Sequence, residues 1–263
     1  MAMIFPSCSC TGSAHQLSGA IDPATETALR VLARRAAGLS GADIERLVRE
    51  ARQSARRERR GLTWSDLERR VSGSKPVRSE TLRWRMAVHE AGHVVARLAL
   101  KLGTIMLVTI DGPEGGRVES EEPLVEETED WLSSLIVAKL SGRAAEEVFL
   151  GSCIAGSGVG PGSDLAMATT LALKMEVSLG FGADQPLLYR DAEENASLLI
   201  YRPEIARRVN ARLEQAYTDA QELIRNHRSA VEGLARRISI LGTLEGADLG
   251  VQLSGISVLG GRR

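Results

Sequence analysis

Ala87-Val88-His89-Glu90-Ala91-Gly92-His93 is the stretch from which the rest of this chain is best read. Its last five residues spell H-E-x-x-H, and the surrounding Ala, Leu and Arg favour helix. Residues i and i+4 share one face of a helix. Both imidazoles can therefore point at one metal ion, while Glu90 projects beside them toward a water. The chain has only four histidines, and the other two, His15 and His227, are far away in sequence. The plainer alternative is two half-buried helix histidines beside a solvated glutamate, and it leaves the spacing unexplained.

Working outward, 263 residues with 43% hydrophobic side chains suffice for one large domain or two smaller ones. Aromatics make up only 3%, so the core must be built from Leu, Val, Ile and Ala. A net charge of -1 excludes a globally basic nucleic-acid binder. Cys8, Cys10 and Cys153 form neither a disulfide framework nor a zinc knuckle, which points to a reducing compartment. The apolar run Val94 to Ile110 is interrupted by Arg97 and Lys101 and does not read as a membrane span. Residues 1–20 lack a basic head and a long apolar core, and read as a disordered or foreign leader rather than a signal peptide.

Two blocks follow the leader. Residues 21–73 are helical, with Leu29, Leu32 and Ala33 on one face, a turn at Gly38 to Asp43, and a second helix carrying Ile44, Leu47, Val48 and Ala51. Arg46, Arg49, Arg52, Arg56, Arg57, Arg59 and Arg60 cover its other face. No aromatic residues interleave with them, which favours a solvated or subunit-facing surface over nucleic-acid binding. Residues 74–80, with Pro76, read as a linker. The second block, 81–254, continues from the H-E-x-x-H helix into a strand at Met106 to Asp111, a turn at Gly112 to Gly116, and a second strand at Arg117 to Glu121. Helix then dominates, over Asp130 to Leu150, Asp164 to Leu179, Pro203 to His227 and Arg228 to Leu241. A glycine-rich loop lies at Gly151 to Gly162, and residues 255–263 read as a flexible tail.

A catalytic zinc takes three protein ligands and leaves one position open. The extended pattern H-E-x-x-H-x-x-G-x-x-H is excluded, because Ala96 and Ala99 stand at its later positions. The remaining carboxylates are Glu146 or Glu147 in one helix and Asp164 at the end of the glycine-rich loop. Spacing alone does not choose between them.

The H-E-x-x-H run, then Leu140-Ser141-Gly142-Arg143-Ala144-Ala145-Glu146-Glu147, then Gly162-Ser163-Asp164-Leu165-Ala166-Met167-Ala168-Thr169, resembles the peptidase domain of FtsH-type AAA zinc metalloproteases in order and separation. Leu179-Gly180-Phe181-Gly182 and Pro186-Leu187-Leu188-Tyr189 fit the same family. Leu32-Ala33-Arg34-Arg35, Gly38 to Ile44 and Trp64-Ser65-Asp66-Leu67 resemble the small helical lid that ends an AAA ATPase domain.

The resemblance implies a mostly α chain: a helical zinc metallopeptidase domain with a small β element, preceded by a helical AAA lid subdomain. It implies Zn2+ held by His89, His93 and Asp164, Glu90 as the catalytic base, and Glu146 orienting a ligating histidine. It further implies a zinc endopeptidase acting on unfolded or damaged polypeptides, a homo-oligomer of hexameric type, and family members anchored in a membrane facing the cytoplasm. No nucleic-acid partner is expected. The chain itself is expected to be cytoplasmic.

Two departures qualify this. No G-x-x-x-x-G-K-[ST] is present, so the lid has no ATPase core to serve within this sequence. The chain is accordingly expected to be the C-terminal part of a longer protease or a reduced version of one, with any ATPase motor or membrane segment supplied elsewhere. A non-catalytic scaffold subunit that keeps the zinc site is the rival reading. In addition, the segment Gly116 to Pro123, where the family carries an apolar edge strand, is short and acidic, which implies weaker substrate binding or a bias toward basic peptides.

Overall fold

The computed structural model describes residues 22, 25, 26, 29, 32, 33, 36, 39–73, 78–112, 115–121, 123–191 and 197–257. The expected leader at 1–20 lies outside them, as do most of the residues expected to form the first helix of the lid-like block. The chain divides into two units, one comprising residues 1–36 and 41–72 and the other 37–40 and 73–263.

In the first unit, α1 (Gly41–Arg57) buries Leu47, Ala51 and Ala55, one residue per turn along a single stripe. Part of its arginine face is answered by acids. Arg46 pairs with Asp43 and Glu50, each at 3.3 Å, and Arg70 of α2 (Trp64–Gly73) reaches Glu50 at 3.5 Å. Such pairing dilutes the positive field that a nucleic acid would need. The start of helix α2 is tied down by Asp66, whose carboxylate accepts from the Thr63 backbone N–H at 2.9 Å and the Thr63 hydroxyl at 2.7 Å. Arg60 adds a two-pronged contact to the same carboxylate, at 2.6 and 2.8 Å.

The second unit is built on α3 (Glu80–Ala99), which starts at an N-cap where the Ser79 side chain accepts from the Leu82 N–H. Ala87, Val88, Ala91, Val94 and Val95 are fully buried, so this helix runs through the core. It turns through Lys101 and Gly103, both at positive φ, into β1 (Thr104–Gly112). Strand β1 is central in an antiparallel sheet of order β2-β1-β3, with β2 at Gly115–Glu121 and β3 at Thr243–Glu245. Val108 pairs with Val118 on one side and Leu244 on the other.

Helix α4 (Glu129–Leu150) packs along α3 and stops at Gly151, in the left-handed conformation. A 3-10 turn (Ala155–Gly158) leads through the glycine-rich loop to α5 (Asp164–Val177), capped by Ser163. A short α6 (Leu198–Tyr201), then α7 (Pro203–Asn226) and α8 (Arg228–Leu241), close the core, and α9 (Gly246–Ser257) follows β3. Glu176, near the far end of α5, is buried and accepts from Arg208 at 2.9 Å and Arg212 at 2.6 Å, both on α7. Arg212 also reaches Glu129 at the start of α4, at 2.7 Å. One buried carboxylate thereby fixes the helix that begins with Asp164.

Helix dominates and the sheet is small, in line with the mostly α fold expected. Three elements lie beyond the sequence reading. Strand β3 has one buried residue, Leu244, and three residues are too few to reveal alternation. Helix α6 is a single turn. Helix α9 runs to Ser257, three residues into the tail expected at 255–263, whose remainder lies outside the described residues.

The Asp66 cap sets a pH dependence. Hydrogen bonds from Arg60 and then from Thr63 hold its carboxyl well below the usual carboxylate range. A depressed folded pKa contributes stability that is complete above the unfolded value of about 3.9 and is lost as pH falls below it. Amide hydrogen exchange over residues 63–71, corrected for intrinsic rates, is therefore expected to be slower in the wild type than in Asp66→Asn at pH 7. The difference should begin to shrink below about pH 4 and vanish only as the pH falls through the depressed folded value. Equal protection at pH 7 would contradict this.

Candidate metal centre

His89 and His93 leave α3 one turn apart, each partly covered, and α4 forms the wall they face. Each ring is held by its Nδ1. That of His93 donates to the Ala138 carbonyl at 2.8 Å, and that of His89 donates to Glu146 Oε1 at 2.8 Å. A carbonyl only accepts, so neutral His93 must carry its proton on Nδ1 and keep the lone pair on Nε2. The same follows for neutral His89 facing a carboxylate.

The two Nε2 atoms then turn toward each other at 3.0 Å, and Asp164 Oδ2 lies 3.1 Å from that of His89 and 3.3 Å from that of His93. Three lone-pair atoms converge on one point. Two ligands about 2.0–2.1 Å from a tetrahedral zinc stand roughly 3.3 Å apart, so the donor set fits that ion in kind and in spacing. Among the described residues these three form the group whose ligand atoms all lie within 4.8 Å of one another.

The electrostatics agree. Burial acts to lower the His89 pKa, but hydrogen bonds with Asp164 and Glu146 outweigh it and push it up to about 10. Burial acts to raise the Asp164 carboxyl, and the two imidazoles overcome it and hold the acid far below its ordinary range. Both shifts describe a place that attracts positive charge. Glu90 differs: burial pushes its carboxyl up, against the pull of His93 and His89. It is 5% exposed and lines a cleft of about 750 Å³ together with the three converging residues.

Two glycines make the site possible. A Cβ on Gly142 would overlap the Nε2 atoms of both His89 and His93, and one on Gly116 would overlap the Glu90 carboxylate. Gly142 thus lets α4 lie flat against the imidazoles, and Gly116 lets β2 pass directly over Glu90. Of the two glutamates left open by spacing, Glu146 is buried at 2% and touches His89. Glu147 points away, toward Tyr217 and Gln221. Neither Tyr189, Tyr217 nor His227 lines the cleft.

The model of peptidase family M41 matches residues 76–250, and that of the AAA+ lid domain matches residues 28–69. The chain belongs to peptidase family M41. Its M41 domain is preceded by an AAA+ lid. Relatives include the ATP-dependent zinc metalloprotease FtsH 2 of Symbiobacterium thermophilum, 32% identical over 89% of this chain and 42% of that protein. FtsH of Thermotoga maritima is 29% identical over 86% of this chain and 41% of that protein. FtsH 1 of Sorangium cellulosum is 30% identical over 84% of this chain and 39% of its own length. The chain thus spans about two-fifths of the length of these relatives. Among the described residues no helix is long and apolar enough to cross a membrane.

The contacts that the M41 site adds to the sequence reading are the Ala138 carbonyl, the two glycines and Arg85, which bonds to Glu146 at 2.9 Å. Arg85 stands four residues before His89 on the same face of α3, a spacing visible in the sequence. The others depend on how α4 and β2 approach α3, which no local pattern encodes. Gly142→Ala is expected to lower divalent-metal affinity sharply and to destabilise the fold by about 1–3 kcal/mol through overpacking. Zinc titration and thermal unfolding check this, and wild-type values in both would contradict it.

Proposed function

We propose that this chain is the proteolytic part of an ATP-dependent zinc protease, hydrolysing peptide bonds in unfolded polypeptides. The observation that supports it most is the meeting of His89 Nε2, His93 Nε2 and Asp164 Oδ2 within 3.0–3.3 Å, beside a buried carboxylate. In this reading His89, His93 and Asp164 hold Zn2+, and Glu146 fixes the His89 ring through its Nδ1–H. When bound, zinc supplies Lewis-acid chemistry, lowering the pKa of water and polarising the scissile carbonyl.

Glu90 takes the proton of the attacking water and returns it to the departing amine. Its burial, which raises the carboxyl, suits that double role, since a more basic carboxylate accepts a proton more readily. Strand β2 is an edge of the sheet and reaches Glu90 at Gly116. An extended substrate can pair its backbone along that edge and so present one peptide bond to the site. The AAA+ lid and the relatives' printed name, ATP-dependent zinc metalloprotease, support a peptidase that works with an AAA ATPase, in a homo-oligomer that we take to be hexameric on the family resemblance.

Replacing Glu90 by Gln should remove at least about 99% of cleavage of unfolded casein, since a general base contributes about 10²–10⁴-fold, while zinc stays bound. Retained turnover would sink the assignment. Substrate preference is a further consequence. Arg117, Glu119 and Glu121 project from the exposed face of β2, and Arg117 is already paired with Glu119 at 2.8 Å. Peptide-library digestion is expected to favour basic side chains flanking the cut, with the bias weakening at high salt. A library cut without regard to charge would remove this inference.

A further inference from the structure

Arg85, His89 and His93 stand at i, i+4 and i+8 on α3, so the face that carries the two imidazoles also carries a guanidinium one turn earlier. Arg85 is mostly covered, with 18% of its side chain exposed. Its Nη1 donates to Glu146 Oε2 at 2.9 Å and to the Ser152 carbonyl at 2.7 Å, and its Nη2 reaches the Ser152 hydroxyl at 3.3 Å. Both oxygens of Glu146 are thereby engaged: Oε1 takes the His89 Nδ1–H, and Oε2 takes Arg85 and the Ile154 backbone N–H at 3.1 Å.

These contacts serve two of the three converging side chains at once. A carboxylate as buried as Glu146 needs a charged partner, and removal of that partner leaves it free to turn toward water. His89 would then lose the acceptor that sets its tautomer and ring orientation. Ser152 lies just past the end of α4, at the start of the segment that leads through Ser157 and Ser163 to Asp164. Holding its carbonyl holds the near end of the loop that delivers the third oxygen.

We propose that Arg85 is a positioning residue of the metal centre, bracing His89 through Glu146 and the Asp164 loop through Ser152. The proposal rests on the zinc reading above. It predicts an effect on metal binding itself, apart from any effect on cleavage.

The test is zinc affinity of the full chain, measured by competition with a chromophoric chelator, together with the imidazole resonances of zinc-loaded, ¹⁵N-histidine-labelled protein. Arg85→Met should weaken zinc binding by about 10–100-fold, the range for loss of a partner behind a ligand. The His89 Nδ1–H signal should shift or broaden. That of His93, which donates to Ala138 instead, should stay in place. A merely structural role would disturb both signals or neither. Arg85→Lys keeps the charge without the two-armed fork, and should bind zinc with intermediate affinity. If the methionine variant does not fold, the lysine variant decides.

Wild-type affinity with an unmoved His89 signal in the folded variant would overturn the proposal and leave the zinc reading standing. A wild-type protein that takes up no stoichiometric zinc, or keeps it after His89 and His93 are both replaced, would overturn both.

Discussion

The fold depends on the close approach of α3 and α4. Helix α3 turns two imidazoles toward α4, and α4 receives them with a residue that has no side chain, Gly142, flanked by an acceptor for each Nδ1–H. The Ala138 carbonyl and the Glu146 carboxylate lie one turn to either side of Gly142 on α4, and they meet His93 and His89, which stand one turn apart on α3. Any bulk at position 142 would drive the helices apart and unmake both hydrogen bonds. The remaining helices and the sheet hold this pair of helices in register.

The site collects charges that would be costly to bury singly. Glu90, Glu146 and Asp164 sit among Arg85 and two imidazoles, and each carboxylate has a distinct environment. Burial raises Glu146 less than its hydrogen bonds with His89 and Arg85 lower it, so it stays a charged acceptor. Glu90 has no such support, and burial leaves it the more basic of the three. Environment rather than residue type therefore separates an orienting carboxylate from one suited to proton transfer. The Asp164 end of α5 is set at a distance as well, because Glu176 ties the opposite end to Arg208 and Arg212.

Much of this was legible in the sequence where a short repeat or a capping residue carries the information. His89, Glu90 and His93 are local by helical spacing, and Ser163 before Asp164 marks a helix start. The longer helices α4, α5, α7 and α8 read within a residue or two from their apolar runs and the turn residues that bound them. The choice among Glu146, Glu147 and Asp164 was not legible from spacing, because it depends on which face of α4 meets α3 and on where a glycine-rich loop ends. It is the family resemblance that implies Asp164 as a ligand and Glu146 behind it. Strand β3 and the roles of Gly116 and Gly142 were invisible for a related reason: each is defined by a partner more than twenty residues away.

The account turns on what surrounds the metal, and X-ray absorption at the zinc K edge of the zinc-loaded chain tests that most directly. It predicts two imidazole nitrogens and oxygen neighbours at about 2.0–2.2 Å, with no sulfur shell. A sulfur neighbour near about 2.3 Å, which would bring in a cysteine, or a spectrum without imidazole scattering, would contradict it.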